Sequence, residues 1–287
     1  MKDAIYARVA RWLSHDDIRR VVSNVLKRTS IRSVIAETAE GRFVLDPRDR
    51  IISWSIICKG TWEPDESRAL GGLIRSGDVV IDIGAHVGWY TMLFSNRVGE
   101  TGQVFAFEPA PENFSLLKAN VELNGRRNVR IENVALGDRT GEVTLGRGGD
   151  NFGDYYVTFG RENPPRESVA VPCMRLDDAL AVSDRIRLLK LDCQGSEPAI
   201  LAGATNALAR CAFLATEFWP AGMRRAGFEA RDYVALLASS FKAFHRLGEG
   251  ASDVFRPTTE LAADASTVKD STDYLLSAAV PQGMTPA

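Results

Sequence analysis

The chain has 287 residues, of which 45% are hydrophobic and 25% are charged, and its formal net charge is −2. This composition excludes disordered, collagen-like and disulfide-scaffold proteins. A charge near zero also argues against a protein that grips a nucleic-acid backbone over its whole surface. No apolar run approaches the roughly 20 residues that cross a bilayer, and the four cysteines form no CxxC pair. We therefore expect a soluble, cytoplasmic protein with reduced thiols.

The first 32 residues differ from the rest because they hold eight basic and three acidic residues, a net charge of +5. Apolar residues recur there at helical spacing, which predicts one or two amphipathic helices with a basic outer face. The plain interpretation is the solvated face of a packed helix. The alternatives are peripheral contact with an anionic membrane, a tether for RNA, or the interface of a homodimer.

Residues 33–59 contain β-branched and aromatic residues on both sides of Glu40-Gly41 and again at 51–57. This composition predicts short antiparallel strands ahead of the main domain. We assign residues 1–59 to an N-terminal extension of helices and short strands, 60–280 to one α/β domain, and 281–287 to a tail.

Beyond residue 78, short apolar runs alternate with helical patterns, as in repeated βα units. The runs lie at 79–83, 104–107, 129–134, 186–191 and 211–216, with two more at 241–247 and 273–277. Apolar strands separated by helices predict a mixed, mostly parallel seven-stranded sheet with helices on both faces.

An insertion at about 138–184 interrupts this alternation. It contains strand-like segments at 142–145 and 169–174, joined by a stretch rich in Gly, Asp, Asn and Pro. An insertion of this size in an α/β domain usually lies over the carboxyl edge of the sheet, so we predict a substrate lid. A surface loop without a role in binding is the alternative.

The segment Asp82-Ile83-Gly84-Ala85-His86-Val87-Gly88 joins the first strand of the predicted sheet to its helix. Glycines there let a ligand approach the backbone, and the helix N-terminus offers free N–H groups. The G-x-x-x-G spacing differs from the dinucleotide fingerprint, and the acid at position 82 would repel a pyrophosphate but suit the cationic groups of S-adenosyl-L-methionine. We predict that Asp82, Gly84, Ala85 and Gly88 bind this cofactor. A purely structural tight turn is the alternative.

An acid ends the second strand. Glu108 follows Gly88 by 20 positions and precedes Pro109. Doubly wound nucleotide-binding folds place a carboxylate there to accept both ribose hydroxyls, so we predict that Glu108 and Pro109 bind the cofactor. A helix-capping acid is the alternative for Glu108. Ala135, at the end of the third strand, would leave room for a flat adenine.

Asp192 closes the fourth apolar run and therefore lies on the same sheet edge as the cofactor residues. Because a hydroxyl must lose its proton when it accepts a methyl group, we predict that Asp192 is the catalytic base and also contacts the cofactor. His86, in the cofactor loop, is the second candidate for the base, unless it only starts the helix. Glu63, Glu217 and Trp219 are candidate acceptor contacts.

An ordered series of motifs covers about residues 60–217. In chain order, the motifs are Gly60-Thr61-Trp62-Glu63-Pro64, Gly77-Asp78, Asp82-Ile83-Gly84-Ala85, Phe107-Glu108-Pro109, Asn133-Val134-Ala135-Leu136-Gly137-Asp138, Leu189-Lys190-Leu191-Asp192 and Leu201-Ala202-Gly203-Ala204. This series resembles the FkbM family of S-adenosylmethionine-dependent methyltransferases. The resemblance implies a class I, Rossmann-like methyltransferase fold for residues 60–280. It also implies O-methylation of a sugar, glycan or polyketide hydroxyl in natural-product or glycan biosynthesis.

Two positions depart from the family pattern. His86 stands where the family commonly has Asn, and Asp192-Cys193-Gln194-Gly195 stands where it commonly has Asp-Val-Glu-Gly. The acid missing at Gln194 puts in doubt any metal site or acid–base role that would use it. We therefore expect no metal ligands and no requirement for a divalent metal.

Three other classes of function stay open. An RNA methyltransferase would use the basic N-terminal segment, although the overall charge argues against nucleic acid as a partner. A dinucleotide oxidoreductase would bind NAD, which the Asp82 loop disfavours. A non-catalytic cofactor-binding protein would fit the departure at Gln194. The expected partner is a small-molecule or glycan acceptor.

Overall fold

The computed structural model describes residues 32–147, 155–158, 167–180, 185–248 and 254–280. The predicted N-terminal helices, most of the loop inside the insertion and the tail lie outside these residues. In chain order, the elements are β1 (Val34–Thr38), β2 (Gly41–Leu45), α1 (Ile52–Lys59), α2 (Pro64–Leu73), β3 (Val79–Ile83), α3 (Trp89–Val98), β4 (Gln103–Phe107), α4 (Pro111–Leu123), β5 (Val129–Glu132), β6 (Ala135–Leu136), β7 (Gly141–Arg147), β8 (Tyr155–Thr158), β9 (Ser168–Met174), α5 (Leu176–Ala179), β10 (Ile186–Leu191), α6 (Glu197–Ala202), α7 (Thr205–Ala209), β11 (Cys211–Phe218), α8 (Pro220–Ala226), α9 (Ala230–Ser240), β12 (Ala243–Arg246), β13 (Arg256–Pro257), a 3-10 turn (Thr258–Glu260), α10 (Leu261–Ala265) and β14 (Thr272–Ser277).

The main sheet has the strand order β5-β4-β3-β10-β11-β14-β12-β13. The five strands from β5 to β11 are parallel, and β14 pairs antiparallel with both β11 and β12. The predicted mixed, mostly parallel sheet is therefore confirmed. The predicted count of seven strands is wrong, because the described residues form eight. The extra strand, β13, has two residues and pairs with the edge strand β12, and two residues are too few for a recognisable sequence pattern.

Apolar cores cover both faces of this sheet, as expected for buried parallel strands. Successive residues of β3 point to opposite faces. Ile81 belongs to a cluster that includes Ile200 of α6 and Leu237 of α9. Val80 belongs to a second cluster, which includes Leu70 of α2, Met92 and Phe94 of α3 and Leu117 of α4. The strand ends are therefore held rigidly from both sides.

The N-terminal extension begins with the predicted hairpin, β1 paired with β2. The predicted strand at 51–57 is wrong, because this segment forms helix α1. The Asp49 carboxylate accepts hydrogen bonds from the N–H groups of Ile51 and Ser53, at 3.0 and 2.7 Å, and so satisfies donors where the helix begins. Gly60 ends the helix in the left-handed conformation. Ile56 is buried in the second cluster, so packing overrides the strand propensity of the β-branched residues.

The insertion forms a second sheet with the order β6-β9-β7-β8. Its two strand-like segments are confirmed as β7 and β9, which pair antiparallel. Val143, Leu145, Val157 and Val171 form a small core of their own. Among the helices in the described part of the chain, none is long and apolar enough to cross a membrane.

Candidate functional site

A cavity of about 270 Å³ opens at the carboxyl ends of β3, β4, β10 and β11, and the insertion sheet closes one side of it. Eight of the predicted site residues line this cavity, namely Glu63, Gly84, His86, Glu108, Pro109, Ala135, Asp192 and Glu217. Four predicted site residues are not part of its lining: Asp82, Ala85, Gly88 and Trp219. Parallel strands end at one edge of a sheet, and this edge collects residues from distant parts of the chain.

Gly84 shapes one edge of the cavity through a close backbone approach. Its φ angle is +80°, and a Cβ atom at this position would lie 2.0 Å from the carbonyl oxygen of Asp192. The N–H groups of Gly84 and Ala85 both donate to the carbonyl of Phe107, at 3.0 and 3.1 Å. The loop after β3 is therefore tied to the ends of both neighbouring strands. Only glycine fits this position without displacing Asp192.

Asp82 lies beneath this loop. Its side chain is fully buried, and the Thr91 hydroxyl donates to its Oδ2 at 2.5 Å. Burial raises the pKa of Asp82, and the charge of Lys190 opposes that rise. Gly88 leaves room for a neighbouring side chain, because a Cβ there would lie 2.7 Å from Leu117. Asp82 and Gly88 therefore support the loop from below, and Gly84 presents it to the cavity.

Glu108 connects the loops that follow β3 and β4. One carboxylate oxygen accepts the backbone N–H of His86 at 2.8 Å, and the other accepts the N–H of Ala110 at 2.9 Å. The side chain is 4% exposed and borders the cavity. Burial raises the pKa of Glu108, and the hydrogen bonds from the two backbone N–H groups oppose that rise. These two hydrogen bonds hold the Glu108 carboxylate at the edge of the cavity.

Asp192 forms an ion pair with a lysine below the floor of the cavity. The distance from Lys190 Nζ to Asp192 Oδ2 is 3.2 Å, and Lys190 Nζ lies 4.5 Å from the centre of the Tyr90 ring. The Tyr90 hydroxyl donates to Glu63 Oε2 at 2.8 Å. Burial lowers the pKa of Lys190, but Asp192, Glu66 and other carboxyl groups outweigh burial and raise it above its ordinary value. The lysine is therefore a permanent cation beneath the floor.

Carboxyl groups predominate at this end of the cavity. Burial, and next the charge of Asp192, raise the pKa of Glu217 to about 10 and that of Asp273 to about 7. Burial also raises the pKa of Glu63, although Lys190 opposes the rise. Burial and the neighbouring carboxyl groups therefore favour the protonated form of Glu217, whereas Asp192 has the Lys190 cation beside it.

Sequence reasoning missed Lys190, Gln194 and Asp273 as parts of this site. Lys190 did carry a signal, because a charged residue inside an otherwise apolar, buried strand needs a partner. Asp273 carried none. It reaches the cavity because β14 pairs antiparallel with β11 and sets Asp273 opposite Glu217. That register cannot be derived from local sequence.

Trp219 packs away from the cavity. A Cβ on Gly222 would lie 2.2 Å from the Trp219 ring, so the ring is pressed against the backbone of α8. The guanidinium of Arg225 lies 4.8 Å from the centre of the same ring.

Within the residues that the structure describes, no group of three or more His, Cys, Asp or Glu side chains could hold a metal ion.

The strand order, the antiparallel β14 between β11 and β12 and the cavity at the carboxyl edge define a class I, Rossmann-like methyltransferase fold. The model of the methyltransferase FkbM domain matches residues 82–258, which is more than half of the chain. The chain belongs to the FkbM methyltransferase family.

The chain is similar to two curated relatives. It is 31% identical to the 31-O-demethyl-FK506 methyltransferase FkbM of Streptomyces tacrolimicus, over 47% of this chain and 62% of that protein. It is 27% identical to the 2-O-methyltransferase NoeI of Sinorhizobium fredii, over 53% of this chain and 68% of that protein. The chain therefore spans less than two thirds of the first relative. A crystal structure of methyltransferase FkbM from Methylobacillus flagellatus has 16% identity and a TM-score of 0.44, and the match covers 71% of this chain and 45% of that one.

Proposed function

We propose that this protein is an S-adenosyl-L-methionine-dependent O-methyltransferase whose acceptor is a hydroxyl of a sugar, glycan or polyketide-type molecule. The main support is the cavity, which brings the cofactor residues Gly84 and Glu108 together with the candidate base Asp192. The names of the two curated relatives describe O-methyltransferases, which favours oxygen as the acceptor atom.

The residues on one side of the cavity suit this cofactor. Gly84 leaves the space that a Cβ would fill, Glu108 offers carboxylate oxygens to the ribose hydroxyls, and the small Ala135 leaves room for adenine. When bound, S-adenosylmethionine supplies a methyl group that its sulfonium has already activated. The protein must therefore hold the acceptor in line and remove its proton.

We assign the removal of that proton to Asp192. Lys190 holds its Oδ2, and the side chain borders the cavity from the end of β10. Glu217 is a poorer base because burial and the charge of Asp192 favour its protonated form. His86 lines the cavity on the cofactor side and is the second candidate. The cation beneath Asp192 would balance the charge of the carboxylate before the proton arrives.

Glu108→Ala is expected to weaken S-adenosylmethionine binding by about 1–3 kcal/mol, because the charge-assisted hydrogen bonds to the ribose are lost. The same variant leaves the N–H groups of His86 and Ala110 without their acceptor, so its unfolding free energy should also fall. Calorimetric titration with S-adenosylmethionine measures the first effect and urea unfolding the second. The exposed Glu122 on α4 provides a control, since Glu122→Ala should change neither. Absence of cofactor binding to the unaltered protein would refute the proposed function.

Asp192→Asn is expected to lower turnover by about 100-fold or more while cofactor affinity stays nearly constant, because the amide cannot accept the acceptor's proton. Initial rates of S-adenosylhomocysteine formation with a panel of free hexoses, 6-deoxyhexoses and macrolide alcohols measure turnover. Titration with S-adenosylmethionine measures affinity. If both quantities fell equally, Asp192 would be a cofactor ligand and the base would lie elsewhere.

A further inference from the structure

The side chain of Gln194 lies between the two carboxyl groups at the reaction end of the cavity. Its Nε2 donates to Asp192 Oδ1 at 3.4 Å and to Glu217 Oε2 at 3.3 Å. Lys190 holds the other oxygen of Asp192, so each oxygen of this carboxylate has its own donor. We propose that Gln194 is a positioning residue for methyl transfer: its amide fixes the direction of the Asp192 carboxylate and bridges it to the carboxyl of Glu217. This inference rests on the proposed function.

The backbone around Gln194 holds this amide in place. Gln194 has a φ angle of +56°, which residues other than glycine rarely adopt. An Arg225 side-chain N–H donates to the Gln194 carbonyl at 3.3 Å. A Cβ on Gly195 would lie 2.2 Å from the backbone of Gly222, so the loop is pressed against α8. A strained conformation held by several neighbours is typical of a residue whose orientation matters for function.

The charges around the amide explain why a neutral donor suits this position. Asp192 interacts electrostatically with the ammonium of Lys190 and with the carboxyl groups of Glu63, Glu66, Asp82, Glu197, Glu217 and Asp273. Glu217 interacts with Lys190, Asp192, Glu197 and Asp273. A carboxylate at position 194 would add a like charge beside Asp192 and could not donate a hydrogen bond when ionised. An amide donates to both neighbours and adds no charge. Glutamine therefore links the two carboxyl groups, whereas an ionised glutamate would repel Asp192 and could not donate a hydrogen bond to either group.

Two variants with side chains of nearly the same size test the hydrogen-bond donor and the neutral charge of Gln194 separately. Gln194→Met keeps the length of the side chain but removes the donor, and we expect kcat to fall about 10- to 100-fold, the effect of losing a hydrogen bond to a charged group. KM for S-adenosylmethionine should stay within about threefold. Gln194→Glu should lower kcat at neutral pH and move the acid limb of the pH profile upwards by about one unit, because a further carboxylate makes proton loss from the base harder.

A second readout needs no methyl acceptor. In ¹⁵N-labelled protein, the side-chain amide resonance of Gln194, identified by its absence in Gln194→Met, should shift with pH as the neighbouring carboxyl of Glu217, whose pKa burial raises to about 10, loses its proton. The Glu217→Gln variant should remove that shift. Glu122→Ala, far from the amide on an exposed helix face, should leave the titration unchanged. Thermal unfolding of both Gln194 variants checks that they fold.

The outcomes separate this inference from the proposed function. If the unaltered protein neither bound S-adenosylmethionine nor transferred a methyl group, both would be overturned. If it transferred methyl groups, but Gln194→Met and Gln194→Glu kept its kcat and pH profile, only the inference would fail. A parallel loss of kcat, cofactor affinity and thermal stability, or an amide resonance insensitive to pH, would also overturn it, because the role would then be structural.

Discussion

Gly84→Ala is expected to abolish measurable cofactor binding and to lower the unfolding free energy by about 2–5 kcal/mol. The added methyl group would lie 2.0 Å from the Asp192 carbonyl, and the φ angle of +80° disfavours any side chain. The loop after β3 and the end of β10 must therefore move apart, which separates the proposed cofactor residues from the proposed base, Asp192. Calorimetric titration with S-adenosylmethionine and urea unfolding measure the two effects.

Gly72 provides the matched control. It lies on the exposed side of α2, and a Cβ there would meet nothing within 4 Å. Gly72→Ala should raise stability by about 0.5–1 kcal/mol, because alanine favours the helix, and should leave cofactor binding unchanged. Normal cofactor affinity in Gly84→Ala would show that the close approach of Gly84 to Asp192 is not needed for binding.

Glu197→Gln is expected to make the protein increasingly more stable than the unaltered chain as pH rises. Glu197 is fully buried at the start of α6, and its Oε1 accepts the Cys193 N–H at 2.8 Å. Burial raises the pKa of Glu197 to about 8, against an ordinary value of 4.5. Between these two values the unfolded chain ionises while the folded protein keeps its proton, so the unfolding free energy falls as pH rises. The amide of the variant keeps a hydrogen-bond acceptor for Cys193 and removes this loss.

Urea unfolding at pH 5 and pH 8 tests this expectation. The difference in unfolding free energy between the variant and the unaltered protein should be small at pH 5 and reach several kcal/mol at pH 8. One pKa unit corresponds to about 1.4 kcal/mol. Glu142→Gln, on an exposed position of β7, should give a difference that does not change with pH. A constant difference for Glu197→Gln would mean that the buried carboxyl is ionised in the folded protein.

Part of the cavity lining could be predicted from the sequence. Gly84, Glu108 and Asp192 each follow an apolar run that forms a parallel strand, and such strands end at one edge of the sheet. The ends of short apolar runs are local features of a sequence. The same reasoning placed Trp219 at the cavity, but a residue after a strand can turn to either side. Its ring packs on α8 instead.

The N-terminal extension shows which structure the local composition of a sequence does not predict. The hairpin is predictable because a turn signal separates its two strands, whereas the isoleucines of α1 favour a strand. The helical state of α1 depends on Asp49 at its start, Gly60 at its end and the burial of Ile56 against the main domain. The last of these is a long-range contact, which no local pattern reports.

The ordered series of motifs in the amino-acid sequence resembles the family. The parallel sheet and the edge at which its strands end follow from the sequence as well, because periodicity and strand ends are local properties of a chain. Which polar groups share the reaction end of the cavity depends instead on the folded protein. Asp273 comes from a late strand paired antiparallel with β11, and Gln194 bridges Asp192 to Glu217 only because β10 and β11 lie side by side. The protonation of the carboxyl groups there depends on burial and on neighbouring charges, and both of these exist only once the chain has folded.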